Sequence, residues 1–219
     1  MVDFPSETTL AEYTRRQLEN FFPDDTDRAK ELALFRTTLP AVKVKLLRLI
    51  NEVRYWRPDR FDPMHSSQYC IYLYLLAREI ATAGLDKATP TRLFYLNKAL
   101  NGIDLFYEVE LPEVFFFGHT TGMVFAKASY GEHLIFYQNS TVGRSGSKAP
   151  SIGPRVCIFP NSLVLGSTHI ESDVIVSAGS SLINLAVPPL SVVRPDGQIQ
   201  SRAAYSGYNP FTDIFRSLS

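Results

Sequence analysis

The chain has 219 residues, a formal charge of zero, and 45% hydrophobic and 12% aromatic residues, enough to bury one large core or two small ones. The balanced charge, with no basic stripe interleaved with aromatics, argues against nucleic acid as a partner. Cys70 and Cys157 lie too far apart for a disulfide framework, the stretch from Met1 to Glu7 lacks the grammar of a signal peptide, and no apolar run reaches membrane length, so a soluble cytoplasmic protein with no membrane insertion is expected.

Residues 1–102 read as a helical domain. Ser6 opens an amphipathic segment that runs to Phe22. Asp24-Asp-Thr-Asp27 places acids ahead of a second segment, Arg28 to Arg36, at the end that favours them. Pro40 fits the first turn of a third, Ala41 to Trp56. Its apolar residues Val42, Leu46, Leu49, Ile50 and Val53 keep helical spacing. The stretch from Arg57 to Pro63 breaks it. A fourth segment spans Ser66 to Ala83, and a fifth, Pro90 to Leu100, stops at Asn101-Gly102.

From Ile103 to about Val193 the grammar changes. Every sixth residue from Ile152 is apolar: Ile152, Ile158, Val164, Ile170, Val176 and Leu182. A period of six suits neither a helix nor a flat strand; it marks a parallel β-helix, whose short strands stack turn upon turn. The fourth residue after each anchor (Val156, Ser162, Thr168, Val174, Ser180) is small or β-branched, as a tight inward corner requires. Run backwards, the phase gives Thr141, Ile135, Ser129, Met123, Phe117, Leu111 and Leu105, with a slip inside Gly143–Pro150 that reads as a loop. Residues 194–219, with Pro195, Gly197 and Pro210, read as an irregular tail packed on a neighbouring subunit.

Four motifs within 103–193 resemble the hexapeptide-repeat acyltransferases, and among them the serine O-acetyltransferases. Phe117-Gly-His-Thr-Thr-Gly122 is similar to the segment that carries the family's catalytic histidine. Ile135-Phe-Tyr-Gln-Asn-Ser-Thr-Val-Gly143 is similar to the coils before its glycine-rich loop. Val176-Ser-Ala-Gly-Ser180 is similar to the turn near its cofactor, and Val187-Pro-Pro189 to the end of its coil. Their order and spacing together are specific. The resemblance implies an α+β fold, an N-terminal α-helical domain followed by a left-handed parallel β-helix. It also implies acetyl-CoA as co-substrate without a metal, a homotrimer that pairs into a hexamer through the helical domains, and active sites between subunits.

It implies roles as well. His119 is the general base, because a hydroxyl attacking a thioester must give up its proton and an imidazole titrates near neutrality. The carboxylate that orients it falls on Asp104, with Glu108 and Glu110 as rivals. Gly143, Ser145, Ala178 and Gly179 match the places where the family lays the pantetheine arm; Lys148 or Arg194 would meet the CoA phosphates. His65, His133 and His169 sit at unmatched positions, which argues against a metal-dependent β-helix enzyme.

The acceptor side departs from the family. Gly118 stands where the serine-using enzymes carry an aspartate for the substrate ammonium, and Lys148-Ala149 where they carry Arg-His for its carboxylate. Losing charge-assisted bonds to both ends of an amino acid costs about 1.5–3 kcal/mol each. A sugar or polysaccharide hydroxyl is therefore the favoured acceptor, with Phe115, Phe116, Phe117, Tyr130 and Tyr137 as aromatic walls. L-serine is the alternative, because Asp62-Pro63 is similar to a family Asp-Pro that touches serine. A non-catalytic β-helix scaffold is the further alternative.

Overall fold

The computed structural model describes residues 5–204 and 208–218; residues 1–4 of the N-terminal stretch, and 205–207 and 219 of the expected tail, lie outside them. Four helices form the first half: α1 (Glu7–Phe21), α2 (Arg28–Glu52), α3 (Ser66–Thr82) and α4 (Ala88–Asn101). The Ser6 hydroxyl accepts from the Thr9 N–H at 3.1 Å, and the Asp27 carboxylate accepts from Ala29 and Lys30 at 3.0 and 3.1 Å. These are the orphan donors that such caps satisfy. Gly102 closes α4 at φ 65°, a conformation open to a residue without a Cβ.

The structure corrects the reading of Pro40. One helix, α2, runs through it. Phe35, Leu39, Val42, Leu46, Leu49 and Ile50 form a stripe, each at most 1% exposed, that continues across the proline. Each such side chain contributes roughly 1.5–3 kcal/mol by burial, which together outweighs the about 3 kcal/mol an interior proline costs.

The second half is a parallel β-helix with three faces. The first carries Asp104–Leu105, Val124–Phe125, Thr141–Gly143, Leu163–Leu165 and Ser181–Ile183. The second carries Ser129–Tyr130, Ser151–Ile152, His169–Ile170 and Ala186–Val187. The third carries Phe115–Gly118, Leu134–Tyr137, Val156–Ile158, Val174–Val176 and Ser191–Val193, with Ile199–Ser201 added antiparallel at its end. All six anchors from Ile152 to Leu182 are at most 2% exposed. The buried Ser162 and Thr168 hydroxyls donate to the carbonyls of Phe159 and Leu165 at 2.8 and 2.7 Å, so these two inward corners are satisfied.

Below the loop the register differs from the sequence reading. Ile158 stacks on Phe136 and that on Phe117, Val164 on Val142, Phe125 and Leu105, and Ile152 on Tyr130. Leu105 and Phe117 stand on the ladder as expected; Leu111, Met123, Ser129, Ile135 and Thr141 do not. The coils differ in length. The stretch from Val142 to Ile152 is four residues longer than the matching one from Val164 to Ile170, and the corner after Phe117 is two residues longer than the one stacked on it. A fixed period cannot cross either insertion.

The described residues of the tail pack on their own chain. A short helix, α5 (Pro210–Ile214), buries Phe211, Ile214 and the following Phe215. The Arg216 guanidinium donates to the carbonyls of Asn51, Val53 and Trp56 at 2.6, 2.7 and 2.8 Å, closing the C-terminal end of α2. Phe215 meets the His133 ring edge-on at 5.1 Å, and burial pushes that imidazole below its ordinary pKa. Among the described residues no helix is long and apolar enough to cross a membrane.

Candidate active site

His119 stands on the enlarged corner between the third and first faces. Its φ is 59°, like the stacked corner residues Asn139 (57°), Asn161 (62°) and Gly179 (76°); a histidine there takes the place of residues that adopt this conformation more readily. The two extra residues carry its ring outward. The side chain is exposed, and no hydrogen bond or ion pair joins it to another described residue.

The ring faces a cleft of about 630 Å³. Tyr55 and Trp56, just beyond α2, form one wall; His65 and Ser66, at the start of α3, form another; Phe116 and Tyr137 are the floor. The aromatics make a continuous row. Phe116 lies 5.8 Å from Trp56, 6.3 Å from Tyr55 and 6.2 Å from Tyr137, which stacks on Phe159 at 5.3 Å and 7°. The Tyr55 phenol, hydrogen-bonded to the Asp213 carboxylate, is pushed up to about 12, and burial raises that of Tyr137. Neither phenol is a base near neutrality. Ser66 Oγ meets Thr120 Oγ1 at 3.3 Å, tying α3 to the corner that holds His119.

A second chamber of about 210 Å³ shares Tyr55, Trp56 and His65 with the first and adds Arg57, Arg60, Asp62 and Gln68. The Asp62 N–H donates to Gln68 Oε1 at 2.9 Å, and Asp62 Oδ1 accepts from the Met64 N–H at 2.8 Å. The sequence reading had singled out Asp62 but missed Tyr55, Trp56, His65 and Ser66 as walls, because Arg57–Pro63 registered only as a helix break. Two aromatics followed by two arginines in one turn was the signal available.

Of the three acids proposed to orient His119, Asp104 lies on the strand beneath its corner, its N–H donating to the Met123 carbonyl at 2.8 Å. Its carboxylate accepts from Lys98 Nζ at 2.6 Å, and no hydrogen bond joins it to His119. Glu108 is held by Lys127, and Glu110 by Arg78 at 2.7 Å. Both rivals are thus bound to cations elsewhere.

Among the cofactor candidates, Ala178 and Gly179 share the His119 edge, three coils on, roughly 14 Å at about 4.8 Å per coil. Arg194 follows one coil further; the Ser177 N–H below it donates to the Val193 carbonyl at 2.9 Å. Gly143, Ser145 and Lys148 lie at the far border of the first face. There Ser145 and Lys148 exchange backbone hydrogen bonds of 3.0 and 3.1 Å around Gly146 (φ 61°). Lys148 and Arg194 form no ion pair among the described residues.

The acceptor candidates separate. Phe117 borders the cleft, while its ring is fully buried inside the coil, 4.8 Å from Phe115 and 5.3 Å from Phe125. Side chains alternate along a strand, so Phe116 faces out and its two neighbours face in. Tyr130 also packs on Phe125, its hydroxyl donating to the Ala126 carbonyl at 2.8 Å. Gly118 and Tyr137 do line the cleft, and they are coupled. A Cβ on Gly118 would lie 2.4 and 2.5 Å from two Tyr137 ring carbons. Gly118→Ala is therefore expected to cost about 1–3 kcal/mol by overpacking. Denaturation should show that cost nearly vanishing when Tyr137 is already leucine; equal cost in both backgrounds would refute the contact. Among the described residues no three His, Cys, Asp or Glu side chains converge as a metal-binding group.

No family model matches the chain. In sequence it is similar to serine acetyltransferase of Synechococcus elongatus, 27% identical over 119 residues (52% of this chain, 49% of that one). It is 29% identical to that of Mycobacterium tuberculosis over the same length (52% of each). The chain spans about half the length of the curated relatives it matches. In structure it matches the Neisseria gonorrhoeae serine acetyltransferase with a TM-score of 0.70 at 19% identity, over 93% of this chain and 84% of that one. It also matches soybean serine acetyltransferase in complex with serine, with a TM-score of 0.66 at 20% identity, over 87% and 84%. The fold, helices first and a parallel β-helix second, is that of these serine acetyltransferase structures. In sequence the chain is similar to serine acetyltransferases over about half its length.

Proposed function

We propose that the chain transfers an acetyl group from acetyl-CoA to the hydroxyl of L-serine, with His119 as general base. The observation that carries this reading is the His119 ring, unpaired and outward-facing beside a cleft walled by the helical half, in a fold shared with serine acetyltransferases. In the reaction the neutral imidazole takes the hydroxyl proton as the oxygen attacks the thioester carbonyl. The tetrahedral oxyanion collapses, the C–S bond breaks, and the imidazolium returns the proton to the CoA thiolate. Asp104 is the acid assigned to steady the imidazolium. Its partner Lys98 is a half-exposed surface cation, with 49% and 39% side-chain exposure for the pair. Such a pair is worth at most about 1 kcal/mol, so little opposes the carboxylate's turn toward His119.

The donor's arm would run along the edge from His119 past Ala178 and Gly179, with Lys148 and Arg194 at the phosphates. Alanine at either basic residue is expected to raise the KM for acetyl-CoA roughly fivefold, the about 1 kcal/mol of one exposed charge pair, without moving the KM for serine. An unchanged acetyl-CoA KM in both variants would remove them from the donor site. Val124, Leu163 and Ile183 are exposed apolar residues of the first face, which supports packing of that face in a homotrimer; pairing into a hexamer through the helical domains is part of the same proposal.

A sugar hydroxyl is the second reading. The aromatic row and the uncharged Gly118 favour it, whereas the relatives and the position of Asp62 favour serine. Thiol release from acetyl-CoA separates them: turnover with L-serine and none with hexoses or N-acetylhexosamines supports the proposal, and the reverse transfers it to the second reading. Binding of CoA without transfer to any acceptor, unchanged in His119→Ala, would make the chain a scaffold.

A further inference from the structure

We infer that Arg57, in the turn between α2 and α3, reads the carboxylate of the acceptor. This rests on the serine reading above and names a group for the carboxylate that Lys148-Ala149 does not supply. Lys148-Ala149 occupies that loop, at the border of the first and second faces, whereas the cleft at His119 is walled by the helical half. The chamber beside that cleft holds Arg57, Arg60 and Asp62. Arg57 and Asp62 offer one charge of each sign to a zwitterion, which Gly118, having no side chain, does not.

The turn is built to hold this group still. Asp59 sits at φ 58°. Its N–H donates to Asn51 Oδ1 at 2.7 Å, and its carboxylate accepts from Asn51 Nδ2 at 2.8 Å. The Arg60 N–H donates back to the Arg57 carbonyl at 3.3 Å, and Arg216 fixes the carbonyls of Val53 and Trp56 just upstream. A fixed backbone holds Arg57 at the chamber it lines together with the buried Trp56. Arg57 forms no ion pair among the described residues, and its planar fork suits a carboxylate where the Lys148 ammonium does not. Asp62, across the same chamber, is left for the ammonium.

The test is steady-state transfer from acetyl-CoA to L-serine and to L-serinamide, which keeps the hydroxyl and ammonium but lacks the carboxylate. Wild-type protein, Arg57→Ala and Arg57→Lys are compared, with thermal denaturation as the control for folding. Wild type should favour serine over serinamide at least tenfold in kcat/KM. Arg57→Ala should lose that preference through a raised KM for serine, with the KM for acetyl-CoA and kcat within about twofold, and Arg57→Lys should fall between. Wild type that acetylates serine while Arg57→Ala keeps the preference overturns this inference alone. Wild type that does not acetylate serine overturns both it and the acceptor reading.

Discussion

Replacing His119 by asparagine lowers the turnover of acetyl transfer by about 10²–10⁴-fold, the range a positioned general base supplies. Asparagine is the informative substitute because it adopts φ near 59° readily, as Asn139 and Asn161 do on the stacked corners. The backbone should hold, since the His119 side chain is exposed and supports no neighbour. Calorimetry should then find CoA affinity within about twofold of wild type while kcat collapses. A variant retaining more than a tenth of wild-type turnover would show that another group takes the proton.

Phe117→Ala should cost about 3–5 kcal/mol of stability. The ring fills the narrow end of the coil against Phe115 and Phe125, with Phe136 stacked on it in the ladder. Its strand is held in parallel register on Leu134–Tyr137 over four residue pairs, which limits how far the coil can close on the void. At the about 2–4 °C per kcal/mol typical of a chain this size, the melting midpoint should fall by roughly 6–20 °C. The KM for the acceptor, measured well below that midpoint, should stay within about twofold. A variant of unchanged stability with a raised acceptor KM would show that Phe117 serves the cleft it borders rather than the core.

The hexad from Ile152 was legible because nothing interrupts it: each anchor is buried and each inward corner is small. The same pattern misled below the loop, where two insertions shift the register while Ile135 and Met123 remain buried for other reasons. Pro40 misled because a local rule for helix starts lost to a buried stripe that continues past it. Gly118 was readable as a departure, but its dependence on Tyr137 was not, since the two meet only when coils stack. Tyr55, Trp56 and Arg57 were hidden for a related reason. Their role comes from the approach of the helical half to one corner of the coil, a long-range contact that no local periodicity encodes.

A crystal structure of the protein with CoA tests the central claim most directly. The account predicts the thiol sulfur in the cleft beside the His119 ring, separated from it by the width of one hydroxyl group, with the arm continuing along the edge of Ala178 and Gly179. CoA seated on another edge of the coil, with the His119 ring facing only solvent, would contradict it.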